Sequence, residues 1–181
     1  MKGLIVYGSQ YGTTKRYAEK LGEIAGLPVI SCEDVKDLGD YGLIIHLGGL
    51  YAGGVKGLKK TVKALQKDTK IVIVTVGLAD VCDKENTDNI KKSISRQIPE
   101  EILNSAAVFH LRGGIDYEKL NFKHRTMMKL LYTKAKHLPE NKKTAEVRAM
   151  IETFNQKVNF VDYHSLNPIL EAIRQILIFS R

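Results

Sequence analysis

Residues 1–14 read MKGLIVYGSQYGTT, and the fold is decided there. The run Leu4-Ile5-Val6-Tyr7 is unbroken in its hydrophobicity, as expected of a buried parallel strand. It stops at Gly8, and a helical pattern begins near Lys15. Between them Ser9, Thr13 and Thr14 supply hydroxyls, and Gly12 lets the backbone bend close to a ligand. The new helix offers unpaired N–H groups and the positive end of its dipole, which suits a phosphate at a strand-to-helix turn. Neither G-x-G-x-x-G nor G-x-x-x-x-G-K-[ST] is present. Hydroxyls with no lysine inside the loop fit the single phosphate of FMN better than a triphosphate. The plain alternative is an ordinary turn with hydroxyl caps.

Strand and helix patterns alternate through the first 110 residues. Strands are expected at 2–7, 27–31, 42–47, 70–76 and 106–111, and helices at 13–25, 55–66, 86–96, 100–104 and 162–180. Such repeats predict an α/β protein with a doubly wound, five-stranded parallel sheet of order 2-1-3-4-5. In that arrangement a ligand sits at the carboxyl ends of the strands. This singles out the loops 8–14, 48–54, 77–84 and 112–117. The segment 113–161 is an interruption with two predicted helices, 123–137 and 144–154, and no strand of consequence.

The second loop places Leu50 and Tyr51 between two glycine pairs, so that an aromatic ring at its tip is free to stack on a flat ligand. A surface loop with a tucked-in tyrosine is the alternative. In the third loop, VGLAD (76–80), backbone N–H groups would meet the polar edge of an isoalloxazine ring. A plain turn capping the next helix is its alternative.

Over residues 1 to about 111 and the last helix, the chain resembles a flavodoxin. Ser9-Gln10-Tyr11-Gly12-Thr13-Thr14 stands for that family's phosphate-loop pattern T-x-T-G-x-T, with Ser9 keeping the hydroxyl of the usual first threonine. Tyr51 falls where the family often has a flavin-stacking aromatic, and Gly77-Leu78-Ala79-Asp80 matches its second flavin loop. Within the superfamily the chain looks most like the menaquinone-dependent protoporphyrinogen oxidase branch. That likeness rests on Gly49-Leu50-Tyr51-Ala52-Gly53 and on a basic insertion opening with Arg112-Gly113-Gly114-Ile115-Asp116-Tyr117, followed by residues 122–131. Residues 112–123 hold fewer aromatics than that branch leads one to expect.

The resemblance implies FMN, with its phosphate on residues 9–14 and its ring between Tyr51 and residues 78–80. It implies an oxidoreductase or electron-transfer protein whose flavin carries the chemistry, so that no catalytic side chain is required and none is assigned. Arg112, Gly113, Gly114 and Tyr117 would face the substrate or an electron partner, whether quinone, redox protein or small molecule. Arg112 is a candidate anchor for a substrate carboxylate, a surface ion pair being its alternative. One specific alternative is quinone-dependent oxidation of protoporphyrinogen IX in heme synthesis. A non-enzymatic partner-binding module on the same fold is another.

The 181 residues are expected to form one domain, 44% apolar and 27% charged. No stretch is long enough to span a membrane, and the opening apolar run is too short for a signal peptide. Cys32 and Cys82 have no metal-type spacing and fit a reducing cytoplasm; no metal is expected. The five histidines are scattered and give no catalytic spacing. Net charge is +8 and pI about 9.4, whereas electron-shuttling flavodoxins are acidic. Ten Lys/Arg against four Asp/Glu between residues 112 and 148 put +6 of that charge in the insertion. Complementary charge points to anionic headgroups, a carboxylate-bearing substrate or an acidic protein. Residues 123–137, KHRTMMKLLYTKAKH, would either lie peripherally in a membrane interface or pack their apolar side inward and leave a solvated basic face. Nucleic acid is not expected, since no recognition helix or aromatic-rich sheet accompanies the charge.

Overall fold

The computed structural model describes residues 1–51 and 54–178. β1 (Gly3–Gly8) leads through the first loop into α1 (Thr13–Ala25), and β2 (Val29–Ser31) follows. β3 (Leu43–Tyr51) outruns its apolar part and folds back as β4 (Gly54–Val55), ahead of α2 (Leu58–Lys63). β5 (Lys70–Gly77), α3 (Lys84–Ser95), α4 (Glu100–Ser105) and β6 (Ala107–Arg112) complete the repeating part. The insertion holds β7 (Gly114–Asp116), α5 (Phe122–Lys136), α6 (Ala145–Glu152) and β8 (Lys157–Asn159), after which α7 (Asn167–Ile178) returns to the core.

The main sheet has the order β2-β1-β3-β5-β6 with every neighbour parallel, the predicted 2-1-3-4-5 once the small β4 is set aside. Each apolar strand feeds two cores, because successive side chains point to opposite faces. Val72 and Val74 join Ile5, Tyr17 and Ile169 under α1 and α7, while Ile71 and Ile73 join Leu58, Ile90 and Ile94 on the other side. That explains why these runs show no polar alternation. No helix among the described residues is long and apolar enough to cross a membrane.

Three expectations are corrected. The stretch 48–54 is not a plain loop: β3 runs on to Tyr51 and pairs with β4 as a hairpin, Leu50 opposite Val55 and Tyr51 opposite Gly54. Glycine makes this possible, since a Cβ on Gly48 would lie 2.2 Å from Cγ1 of Val55. The helix expected over 55–66 is only Leu58–Lys63, because Gly57, at φ +81°, still belongs to the turn before it. The insertion is bracketed by strands after all, β7 pairing antiparallel with β8. Three-residue strands carry too little periodicity to be read from sequence. The end of the predicted last helix, 179–180, and the loop residues Ala52 and Gly53 lie outside the described residues.

Candidate functional site

The carboxyl ends of β1, β3, β5 and β6 gather the four loops at one edge of the sheet. In the first, Ser9 Oγ accepts a hydrogen bond from the Gly12 N–H at 3.0 Å and closes a small turn. Gly12 has φ +88° and serves as N-cap of α1, and as a glycine it gives the helix's first amides no side-chain cap bond. Thr13 Oγ1 donates to the Gly114 carbonyl at 3.0 Å and ties this loop to the insertion. Thr14 is buried, and its Oγ1 would stand 3.1 Å from a Cβ on Gly49, so the first loop and the end of β3 are in close approach.

Gln10 sits in a chain that periodicity does not reveal. Lys56 Nζ donates to Gln10 Oε1 at 2.7 Å, and Gln10 Nε2 donates to His124 Nε2 of α5 at 3.0 Å. Tyr11 meets the His124 ring edge-on at 5.9 Å and the Tyr51 ring at 6.3 Å. Tyr51 donates its hydroxyl hydrogen to Met127 Sδ at 3.0 Å. The inner face of α5 thus lies directly over the residues predicted to bind phosphate and ring. Lys56, His124 and Met127 are additions from the tertiary structure; the glycine-rich hairpin and the basic helix were the only hints in the sequence.

Gly77 accepts a hydrogen bond from the Gly113 N–H at 2.7 Å, and the Leu78 carbonyl accepts from Arg112 Nε at 3.3 Å and Nη2 at 3.1 Å. Ala79 packs on Ala145 and Ala149 of α6, while Asp80 turns the loop by accepting from the Cys82 N–H at 2.9 Å. Leu50 packs beside the α2–α3 core, and a Cβ on Gly77 would lie 2.7 Å from it.

Of the residues expected to face substrate, Gly113 and Tyr117 are buried, and Arg112 and Gly114 are half-buried. Arg112 caps the Leu78 loop and lies over the Phe160 ring, 3.9 Å from its centroid. A Cβ on Gly113 would come within 2.8 Å of Val76, and one on Gly114 within 2.4 Å of the Val158 carbonyl. Tyr117 is buried against Phe154, which stacks on Tyr132 of α5 at 3.9 Å. Arg112→Met, which keeps the bulk and removes the donors, is expected to lower stability by about 2 kcal/mol. Urea titration checks this; an unchanged midpoint would return Arg112 to the role of a substrate anchor.

Among the described residues two buried side-chain polar atoms lack any hydrogen-bond partner, the hydroxyls of Tyr11 and Tyr117. Both belong to the cluster that joins the first loop, Leu78 and the insertion. Burial pushes each phenol up to about 12, with the neighbouring Tyr51 and Tyr117 adding to the effect at Tyr11. Leaving such a donor unpaired costs about 1–3 kcal/mol, which is what a polar ligand relieves. Uncapped helix amides, the aliphatic hydroxyls of Ser9, Thr13 and Thr14 and no carboxylate in residues 8–14 fit a phosphate. Orphaned phenols among aromatic neighbours fit a polar-edged ring.

The sequence matches the family model for the flavodoxin domain over residues 4–142. The chain belongs to that family. As a flavodoxin-domain protein it is similar in structure to a flavoprotein from Lactobacillus acidophilus NCFM solved in complex with FMN (17% identity, 61% of this chain and 92% of that one, TM-score 0.42). It is similar also to a mutant flavodoxin from Pseudomonas aeruginosa (15%, 72% and 93%, 0.40) and to a flavodoxin from the domain Archaea (15%, 84% and 95%, 0.40). No curated protein matches the chain. The assignment rests on the domain match.

Proposed function

We propose that this flavodoxin-domain protein binds FMN at the loop edge and acts as a flavin-dependent oxidoreductase or electron carrier. The observation that carries the reading is the pair of orphaned phenols, Tyr11 and Tyr117, beside the uncapped start of α1. Bound flavin would supply reversible one- and two-electron transfer. The chain's own groups bind and orient it. The first amides of α1, with the hydroxyls of Ser9 and Thr14, would hold the phosphate, while Thr13 ties this loop to the insertion through the Gly114 carbonyl. Tyr11 and Tyr117 stay protonated throughout the neutral range and remain hydrogen-bond donors. Tyr51 and Met127 keep water from the ring, and Lys56 holds Gln10 in place.

Purified protein should absorb between 350 and 500 nm, or gain thermal stability on adding FMN. Tyr11→Phe is expected to weaken FMN binding about tenfold while leaving the apoprotein at least as stable, since an unpaired buried donor is removed. Titration calorimetry and urea unfolding read the two effects separately. A colourless protein indifferent to FMN would sink the reading, and the partner-binding module would then stand.

The finer reading, quinone-dependent oxidation of protoporphyrinogen IX, is favoured by the cationic insertion lying against the ring loops, which suits a substrate bearing several carboxylates. Flavin-loaded protein supplied with that porphyrinogen and a menaquinone analogue should form the porphyrin. Absence of turnover would leave electron transfer to another partner.

A further inference from the structure

The outer face of α5 has an arrangement that packing against the domain does not explain. At about 100° per residue, His124, Met128 and Ala135 share the side turned to the protein, and Met128 and Ala135 are buried there. Phe122, Thr126, Leu130 and Thr133 share the opposite side. Phe122 is 86% exposed and Leu130 60%, about 12 Å apart along the helix. Lys129 and Lys136 flank this line on one side, Lys123 and Lys134 on the other, and all four are exposed. None of the four has a carboxylate within ion-pair distance among the described residues. The helix holds no acidic residue. Half of the exposed large hydrophobics among the described residues lie between residues 122 and 138.

We propose that this face docks α5 flat on an anionic lipid bilayer. Phe122 and Leu130 enter the headgroup–acyl boundary, and the two lysine rows lie along the phosphates with their stems bent outward. The polar groups between the two apolar side chains do not oppose this. Thr126 Oγ1 donates to the Phe122 carbonyl and Thr133 Oγ1 to the Lys129 carbonyl, both at 2.9 Å, so neither hydroxyl needs water. Arg125 is held by the Tyr117 and Glu118 carbonyls and anchors the helix to the insertion beneath. Charge complementarity selects an anionic surface. Two apolar side chains in line between cationic rows favour a bilayer over an acidic protein, whose carboxylates would leave Phe122 without a partner. The proposal is independent of the cofactor.

The chain contains no tryptophan, so Phe122→Trp is a clean reporter. The full-length protein is sedimented with vesicles of phosphatidylcholine alone, or with one third phosphatidylglycerol. Binding is expected only with phosphatidylglycerol, falling steeply as salt rises from 0.1 to 0.5 M, with a blue shift in the fluorescence of the introduced indole. Replacing Lys123, Lys129, Lys134 and Lys136 by glutamine should cut partitioning by roughly a hundredfold or more, and Phe122→Ser by about tenfold. Thermal unfolding close to that of the parent checks that these exposed changes spare the fold. Equal binding to both vesicles, an unshifted emission maximum, or full binding by the glutamine variant each overturns the proposal. So does a protein that ignores vesicles and instead self-associates or binds an acidic protein through this face.

Discussion

Gly8→Ala is expected to lower stability by about 3 kcal/mol or more and to abolish FMN binding. Gly8 ends β1 opposite Gly48 of β3, and the new methyl carbon would lie 2.1 Å from the carbonyl oxygen of Lys56 and 2.7 Å from its carbon. Those atoms are backbone, so no rotamer change relieves the clash. The turn after β4 must move, or β1 must slide out of register. The same turn holds the loop edge together through the Lys56 side chain on Gln10 and the Lys56 N–H on the Gly49 carbonyl at 3.0 Å. Loss of stability and loss of ligand therefore have one cause. Urea titration and FMN calorimetry check it, and a variant with the parent's midpoint would mean that Gly8 is not packed against Lys56. Gly12→Ala is a useful contrast, because a Cβ there meets nothing within 4 Å and strains only the backbone at φ +88°.

Acid should weaken the fold through His46. Its ring is fully buried, with Nε2 donating to the Lys56 carbonyl at 3.0 Å and Nδ1 accepting from the Thr61 hydroxyl at 2.9 Å. The carbonyl can only accept, so the network specifies the neutral tautomer with its hydrogen on Nε2. Burial pushes the imidazole down to about 4 from its ordinary 6.5, only partly offset by the bond to Lys56. The unfolded chain then takes up the proton first as pH falls. Stability from the neutral ring is whole above about pH 6.5 and is lost on the way down to about pH 4. Between pH 7 and pH 4.5 the loss from His46 should be about 2–3 kcal/mol. His110, desolvated in β6 and bonded to Thr75, pulls in the same direction. Urea unfolding at the two pH values should show a clearly shallower fall in His46→Gln than in the parent, whatever the variant's absolute stability. Equal falls would sink the prediction. Because Gly8 and His46 share the Lys56 carbonyl, their combined variant should cost less than the sum of the two.

Much of the fold was legible because the signal was local. The runs 4–7, 42–47 and 70–76 are apolar at nearly every position, as only strands covered on both faces need to be. The glycines that open α1 and punctuate the hairpin mark the loop edge. What escaped was short or distant. β7 and β8 are three residues each and pair across the whole insertion. Gln10 and His124 are 114 positions apart, and no spacing announces their contact. Tyr117 looks like an exposed loop aromatic in sequence, yet Phe154 covers it.

By itself, then, the sequence determined the alternating parallel sheet, its order, and the edge at which the loops proposed to bind FMN gather. Hydrophobic period and turn chemistry act over a few residues, and they leave their mark in the chain. Only the tertiary structure decided that Arg112 braces the Leu78 carbonyl, that Lys56 links Gln10 to a buried histidine, and that α5 covers the loops with one face and presents Phe122 with the other. Those contacts join residues far apart in the chain, and packing alone selects which side of a basic helix turns inward.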